Sequence, residues 1–180
     1  MKFLTLSATL SLGLLLGLAG CSTMPSPANT QQINVYAVSE QGMQEKIGTI
    51  RFYDSAEGLV LKTRLSHIPS GPHGFHLHDY PDCGTQATNG QSGAALGAGG
   101  HFNPTQVPHH GSPTMGHLGD LPVLVADDNG NANQTLIAPR LSVKTIQQHA
   151  IIIHAGGDNY SDSPKPLGGG GNRIACGIIA

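Results

Sequence analysis

Charge is scarce in this chain: Asp, Glu, Lys and Arg make up 11% of 180 residues, and the formal net charge is −2. No basic run occurs, so the electrostatic footprint of a nucleic-acid-binding protein is missing. Tryptophan is absent and aromatic residues amount to 4%, while Gly and Pro are abundant at 25 and 12. That profile favours short strands and many turns over helices. There is no internal repeat, and the length suits one domain with a sizeable core. Cysteine is limited to Cys21, Cys83 and Cys176.

The one long apolar run is at the start. Lys2 precedes LSLGLLLGLAG, which ends at Cys21. It is too short for a stable membrane span and reads as a secretory signal peptide over residues 1–20. Leu18-Ala19-Gly20-Cys21 resembles a bacterial lipobox, which implies cleavage before Cys21 and lipidation of its thiol. Loss of Lys2 with the signal would take the formal charge from −2 to −3. Residues 21–31, polar and patternless, read as a lipid-attached tether, and the domain is expected over 32–180. With Cys21 lipidated, Cys83 and Cys176 remain as an even pair in an oxidising compartment, and a disulfide is expected. Closing about 93 residues of chain would contribute roughly 4–5 kcal/mol in the chain-entropy account.

Within the domain, alternating or apolar runs bounded by turns predict strands at 33–38, 46–54, 58–66, 71–80, 121–127, 133–139, 149–154 and 173–179. Their lengths and turns point to antiparallel β structure rather than βαβ units. LSVKTIQQ (141–148) fits either a short helical turn or irregular chain. Residues 79–100 and 155–172 are long Gly-rich loops of the kind that are functional or tied down.

Histidine is what the chain has in quantity. Between His101 and Asp120 lie four histidines and an aspartate, in a segment too rich in Gly and Pro for regular helix. Imidazole suits zinc and copper, and a carboxylate can complete a zinc shell. His76 and His78 stand two apart on an extended run, so both project from one face while Phe75 and Leu77 project from the other. His73 reads as a turn or packing histidine and His149 as a polar strand entrance; His154 ends a buried run.

GFHLH, GAGGHFNP, HGSP, GHLGDLP, IIIHAGGD and PKPLGGGGNRIACGII, in that order from residue 74 to 179, closely resemble the copper–zinc superoxide dismutases, particularly their exported bacterial branch. The resemblance implies an all-β fold, an eight-stranded Greek-key β-barrel or sandwich with long metal-binding and electrostatic loops. It implies one copper ion per subunit on His76, His78, His101 and His154, and one zinc ion on His101, His110, His117 and Asp120. His109 adjoins His110, and the match of HGSP to the family's His-Gly-x-Pro pattern selects His110. Asp158 matches a carboxylate linking a copper-site to a zinc-site histidine. Arg173 matches the arginine that docks the substrate anion, and Cys83–Cys176 matches the family's disulfide.

The implied activity is dismutation of superoxide to O2 and H2O2, protecting the cell envelope, with His101 bridging the metals and serving catalysis beside Arg173. Lys165 is either a second steering cation or a solvated loop lysine. The rival reading is a non-catalytic copper- or zinc-binding envelope lipoprotein. Copper storage usually uses soft thiolate or thioether ligands, and no Cys or Met adjoins these histidines. The expected location is the periplasm, with the lipid holding the protein to a membrane; the sequence leaves monomer and homodimer both open.

Overall fold

The computed structural model describes residues 29–180. The expected signal peptide, the expected lipidation site at Cys21 and most of the expected tether lie outside the described residues. Nine strands follow in order: β1 Gln31–Ser39, β2 Gly42–Ser55, β3 Gly58–Leu65, β4 Gly71–His73, β5 Phe75–His78, β6 Leu124–Ala126, β7 Thr135–Ala138, β8 His149–His154 and β9 Arg173–Ile179. They form a curled antiparallel sheet in the order β5-β8-β9-β1-β2-β3-β7, with β4 and β6 paired separately. The eight expected runs are all present. The fourth divides at Gly74, which lets His73 pair with Leu124 while Phe75 pairs with Ile153.

Local chemistry explains the hairpins. Ser39 pairs with Gly42 and Ser55 with Gly58, each across a two-residue turn, and both glycines have positive φ, 105° and 119°. At Gly48, φ is 151° and a Cβ would run into the Arg64 carbonyl, so only glycine lets β2 pass β3 at the bend. Residues 141–148 form turns, with Thr145 N–H donating to Ser142 O at 3.0 Å, and they bury Leu141, Val143 and Ile146.

The main core is aliphatic with two phenylalanines: Ile50 and Phe52 from β2, Leu59, Leu61 and Leu65 from β3, Phe75 and Leu77 from β5, and Ile151 and Ile153 from β8. The alternate residues of β8, Ala150 and Ile152, face a second cluster containing Cys83, Cys176, Ala95 and Ala98. Burial on both faces is why this strand reads as an unbroken apolar run. Cys83 and Cys176 form the expected disulfide, with Cα atoms 5.9 Å apart. It fastens the 79–100 loop against β9.

The glycine run 168–171 is docked rather than loose. Gly156 N–H donates to Gly170 O at 2.7 Å and Ala155 N–H to Asn172 O at 2.7 Å. A side chain at Gly170 would meet the His154 ring, and one at Gly168 would collide with Asp158.

Candidate metal centre

β5 lies at the edge of the large sheet, so its outer N–H and C=O groups need partners. The 101–120 loop supplies them. Phe102 N–H donates to Leu77 O at 2.8 Å, Leu77 N–H to Gly119 O at 2.9 Å, and Leu121 N–H to Phe75 O at 3.3 Å. His78 thereby bridges to His101 and His76 to Asp120. Phe75 and Leu77 sit in the core, and His76 and His78, on the opposite side of the strand, are covered by this loop and by the end of β8. His76, His78, His101, His110, Asp120 and His154 are all buried.

Hydrogen bonding sets which nitrogen of each ring is free. His76 donates from Nε2 to Asp158 Oδ2 at 2.8 Å, His78 from Nδ1 to Gly99 O at 3.0 Å, and His154 from Nδ1 to Gly171 O at 3.0 Å. Carbonyls and carboxylates only accept, so in the neutral rings His76 Nδ1, His78 Nε2 and His154 Nε2 carry the lone pairs. Each of these atoms, and His101 Nε2, is buried without a hydrogen-bond partner. The four rings lie close enough for one ion, their ligand atoms all within 4.8 Å of one another. Buried lone pairs this close together are costly unless a cation sits among them.

A second group converges on one oxygen, Asp120 Oδ1. His101 Nδ1 lies 2.9 Å from it, His110 Nδ1 3.0 Å and His117 Nδ1 3.6 Å. Zinc–nitrogen bonds of about 2.0–2.1 Å place neighbouring tetrahedral ligands roughly 3.3 Å apart, so these spacings suit a zinc-sized cation. Here the set whose ligand atoms all lie within 4.8 Å of one another is His76, His101, His110 and Asp120, without His117. His76 Nε2, however, is committed to Asp158 and its Nδ1 belongs to the first group, whereas His117 Nδ1 is buried, unpartnered and turned to Asp120 Oδ1. Asp120 Oδ2 is held by the N–H groups of Gly111 at 2.9 Å and His117 at 2.8 Å. His110 Nε2 donates to Asp158 Oδ1 at 2.7 Å, so one carboxylate orients His76 and His110 together. The His110 side chain is fully buried, whereas that of His109 is 79% exposed beside Asp162.

Titration follows from these contacts. Burial pushes His76 down to about 4 and His154 to about 3, and holds His78 well below the usual histidine range. All three are neutral near pH 7, with lone pairs available. Burial also works against protonation of His110, but Asp120 and Asp158 outweigh it and raise its pKa to about 9. Burial favours the neutral acids at Asp120 and Asp158, yet their histidine partners keep both below the ordinary carboxylate range.

A family model described as copper/zinc superoxide dismutase (SODC) matches residues 46–179, which include every residue of both groups. The chain belongs to the copper/zinc superoxide dismutase family. It is 43% identical over 154 residues to the Cu-Zn superoxide dismutase of Escherichia coli K12, covering 84% of this chain and 89% of that relative. The solved Cu/Zn superoxide dismutase from Brucella abortus matches with a TM-score of 0.81 at 40% identity, over 84% of this chain and all of that one. The solution structure of the monomeric copper, zinc enzyme from Salmonella enterica matches at 0.74 and 44% identity, covering 84% and 99%.

Beside this dismutase-family centre, Arg173 is oriented by two backbone acceptors, with Nη1 donating to Ala95 O and Nη2 to Gly99 O. It lines a cavity of about 600 Å³ with Ala155 and Gly171, while a second, of about 400 Å³, is lined by His154, Lys165, Leu167 and Gly171. Lys165 is exposed, and no carboxylate pairs with it among the described residues.

His73 is a packing residue whose nitrogens lie 2.7 Å from His154 O and 2.6 Å from Pro69 O. His149 is more than a strand entrance. Its Nδ1 reaches His78 O at 3.0 Å and Asp79 O at 2.9 Å, and its ring packs 4.1 Å from that of Phe102. Sequence reasoning also passed over Arg140, which makes three bonds to the metal loop; nothing local to Ala138-Pro139-Arg140 signals them.

Proposed function

We propose that this protein dismutes superoxide at a copper–zinc centre in which His76, His78, His101 and His154 hold copper, and His101, His110, His117 and Asp120 hold zinc. The observation that carries the assignment is the set of buried ring nitrogens without hydrogen-bond partners, those of His76, His78, His101 and His154 around one point and those of His110 and His117 near Asp120 Oδ1, to which His101 Nδ1 is also bonded. Bound copper supplies the one-electron exchange that oxidises one superoxide to O2 and reduces the next to H2O2, while zinc, which has no redox chemistry, supplies charge and geometry.

The chain's own residues do the rest. His101 presents Nδ1 toward the zinc group and Nε2 toward the copper group, so Nε2 would hold copper or, when free of it, carry one of the two protons that H2O2 needs, the other coming from water. Asp158 keeps His76 and His110 in fixed tautomers by accepting from both. Arg173, pinned to Ala95 and Gly99, docks the anion. Lys165, on the cavity that reaches His154, adds local positive potential to a domain whose net charge is unfavourable for an anion.

Export to the bacterial periplasm is supported by the secretory run, the disulfide and the similarity to bacterial Cu-Zn superoxide dismutases. Cleavage before Cys21, a lipid there and a tether to residue 31 complete the reading, with Gln31 already pairing with Phe52 at the start of β1. Either a monomer or a homodimer is compatible with it. The experiment is metal analysis of the purified chain together with a superoxide-decay assay, expected to show one copper, one zinc and rapid decay. Full metal content without superoxide decay would favour a metal carrier. Mass spectrometry of the membrane fraction should find an acylated N-terminus at Cys21.

A further inference from the structure

Arg140 follows β7, at the opposite end of the large sheet from β5, and commits its guanidinium to the loop bearing His110, His117 and Asp120. Nε donates to Pro113 O at 2.7 Å, Nη1 to Gly116 O at 2.9 Å and Nη2 to His117 O at 2.6 Å. No carboxylate pairs with it among the described residues. A guanidinium is a rigid planar fork, so three carbonyls held by one such plane fix the path of residues 113–117.

The His117 carbonyl links this fork to the zinc group. It also accepts the Asp120 N–H at 3.1 Å, closing the turn that brings His117 Nδ1 and Asp120 Oδ1 to 3.6 Å. The other rings of the group have hydrogen bonds of their own, His110 to Asp158 and His101 to Asp120. The His117 ring has none among the described residues, and its Nδ1 is buried without a partner. The ring lies among those of His101 and His110 with no hydrogen bond to fix it, and its backbone is held at the N–H by Asp120 Oδ2 and at the carbonyl by Arg140.

We propose that Arg140 is the positioning residue for zinc binding at His117, tying the far edge of the sheet to the metal loop. This rests on the zinc-ligand set proposed above. Arg140→Ala should lower zinc affinity about 10–100-fold, the usual effect of removing a residue that orients a ligand. Affinity is measured in the full chain by chelator competition with copper absent. The visible bands of the Co(II)-substituted protein should shift as the tetrahedral site loosens, whereas copper affinity should change little. Arg140→Lys, which keeps the charge but loses the fork, should fall between. Millimolar methylguanidinium should restore zinc affinity to Arg140→Ala, and methylammonium should not.

A residue that merely stabilised the fold would lower the melting temperature of the metal-free protein and leave zinc affinity and the Co(II) spectrum unchanged. That result in Arg140→Ala, or in Arg140→Lys should the alanine variant not fold, overturns the proposal. His117→Ala separates the two levels. If it too keeps full zinc affinity, the ligand assignment is wrong; if it loses zinc while the Arg140 variants do not, only the positioning role is lost.

Discussion

His101 turns Nδ1 to Asp120 Oδ1, 2.9 Å away, and leaves its buried Nε2 without a partner. One ring thus belongs to both ligand groups, and Asp158 repeats the link from outside by accepting from His76 and His110. Two bridges of different chemistry join the same pair of sites, so a change at either bridge should be felt at both sites.

Asp158→Asn tests the outer bridge. An amide accepts through one oxygen and sets its NH2 against the second imidazole N–H, so both rings cannot keep their orientation. Copper and zinc affinities should each fall by about 10–100-fold, read by chelator competition. A change confined to one metal would show that the carboxylate serves only that side.

The adjacent histidines should separate cleanly. His110→Ala removes a buried ring between Asp120 and Asp158 and should abolish zinc retention through dialysis. His109→Ala removes an exposed ring and should leave zinc content unchanged. The reverse ranking would place the zinc ligand at the other neighbour.

Arg173→Ala should leave both metals bound, because a guanidinium has no lone pair to offer a metal. The second-order rate should drop tens-fold, within the range of about 10–10³ that steering contributes. Lys165→Gln should cost less and flatten the decline of rate with ionic strength. A fully metallated Arg173→Ala protein with the wild-type rate at low salt would remove anion docking from the mechanism.

Cys83→Ser should lower stability by about 2–5 kcal/mol, measured by denaturant or thermal unfolding. It should also lower the rate at full metal content, since Ala95 and Gly99, which orient Arg173, lie in the loop that the disulfide fastens to β9. Loss of stability with an unchanged rate would show that the loop holds Arg173 without the bond.

Metal-free protein should be most stable near pH 6.5. His76 and His154 titrate near 4 and 3 when folded but near 6.5 when unfolded, so the unfolded chain binds more protons and stability falls as pH drops below 6.5. Asp120 and Asp158, held low in the fold, add to the loss below about pH 4. His110 acts in the other direction. Its raised pKa of about 9 contributes stability that is complete below 6.5 and lost as pH rises through 9. Zinc bound at His110 should remove the alkaline decline, and melting temperatures with and without zinc between pH 6.5 and 9 check this.

The strands, their turns and the His76/His78 pair were legible because they rest on local rules: alternation, glycine at positive φ, and two-residue spacing on an extended chain. The order of the matching motifs carried the proposed ligand assignment. Only the tertiary structure decided which nitrogen of each ring is free, since the acceptors Gly99, Gly171 and Asp158 are 17 to 82 residues away in sequence. It also decided that the fourth run splits at Gly74, that His109 faces water while its neighbour is buried, and that Arg140 and His149 hold the metal loop and the end of β5. A side chain that acts by bonding a distant carbonyl leaves no mark on its own neighbours in sequence, so only the folded chain reveals it.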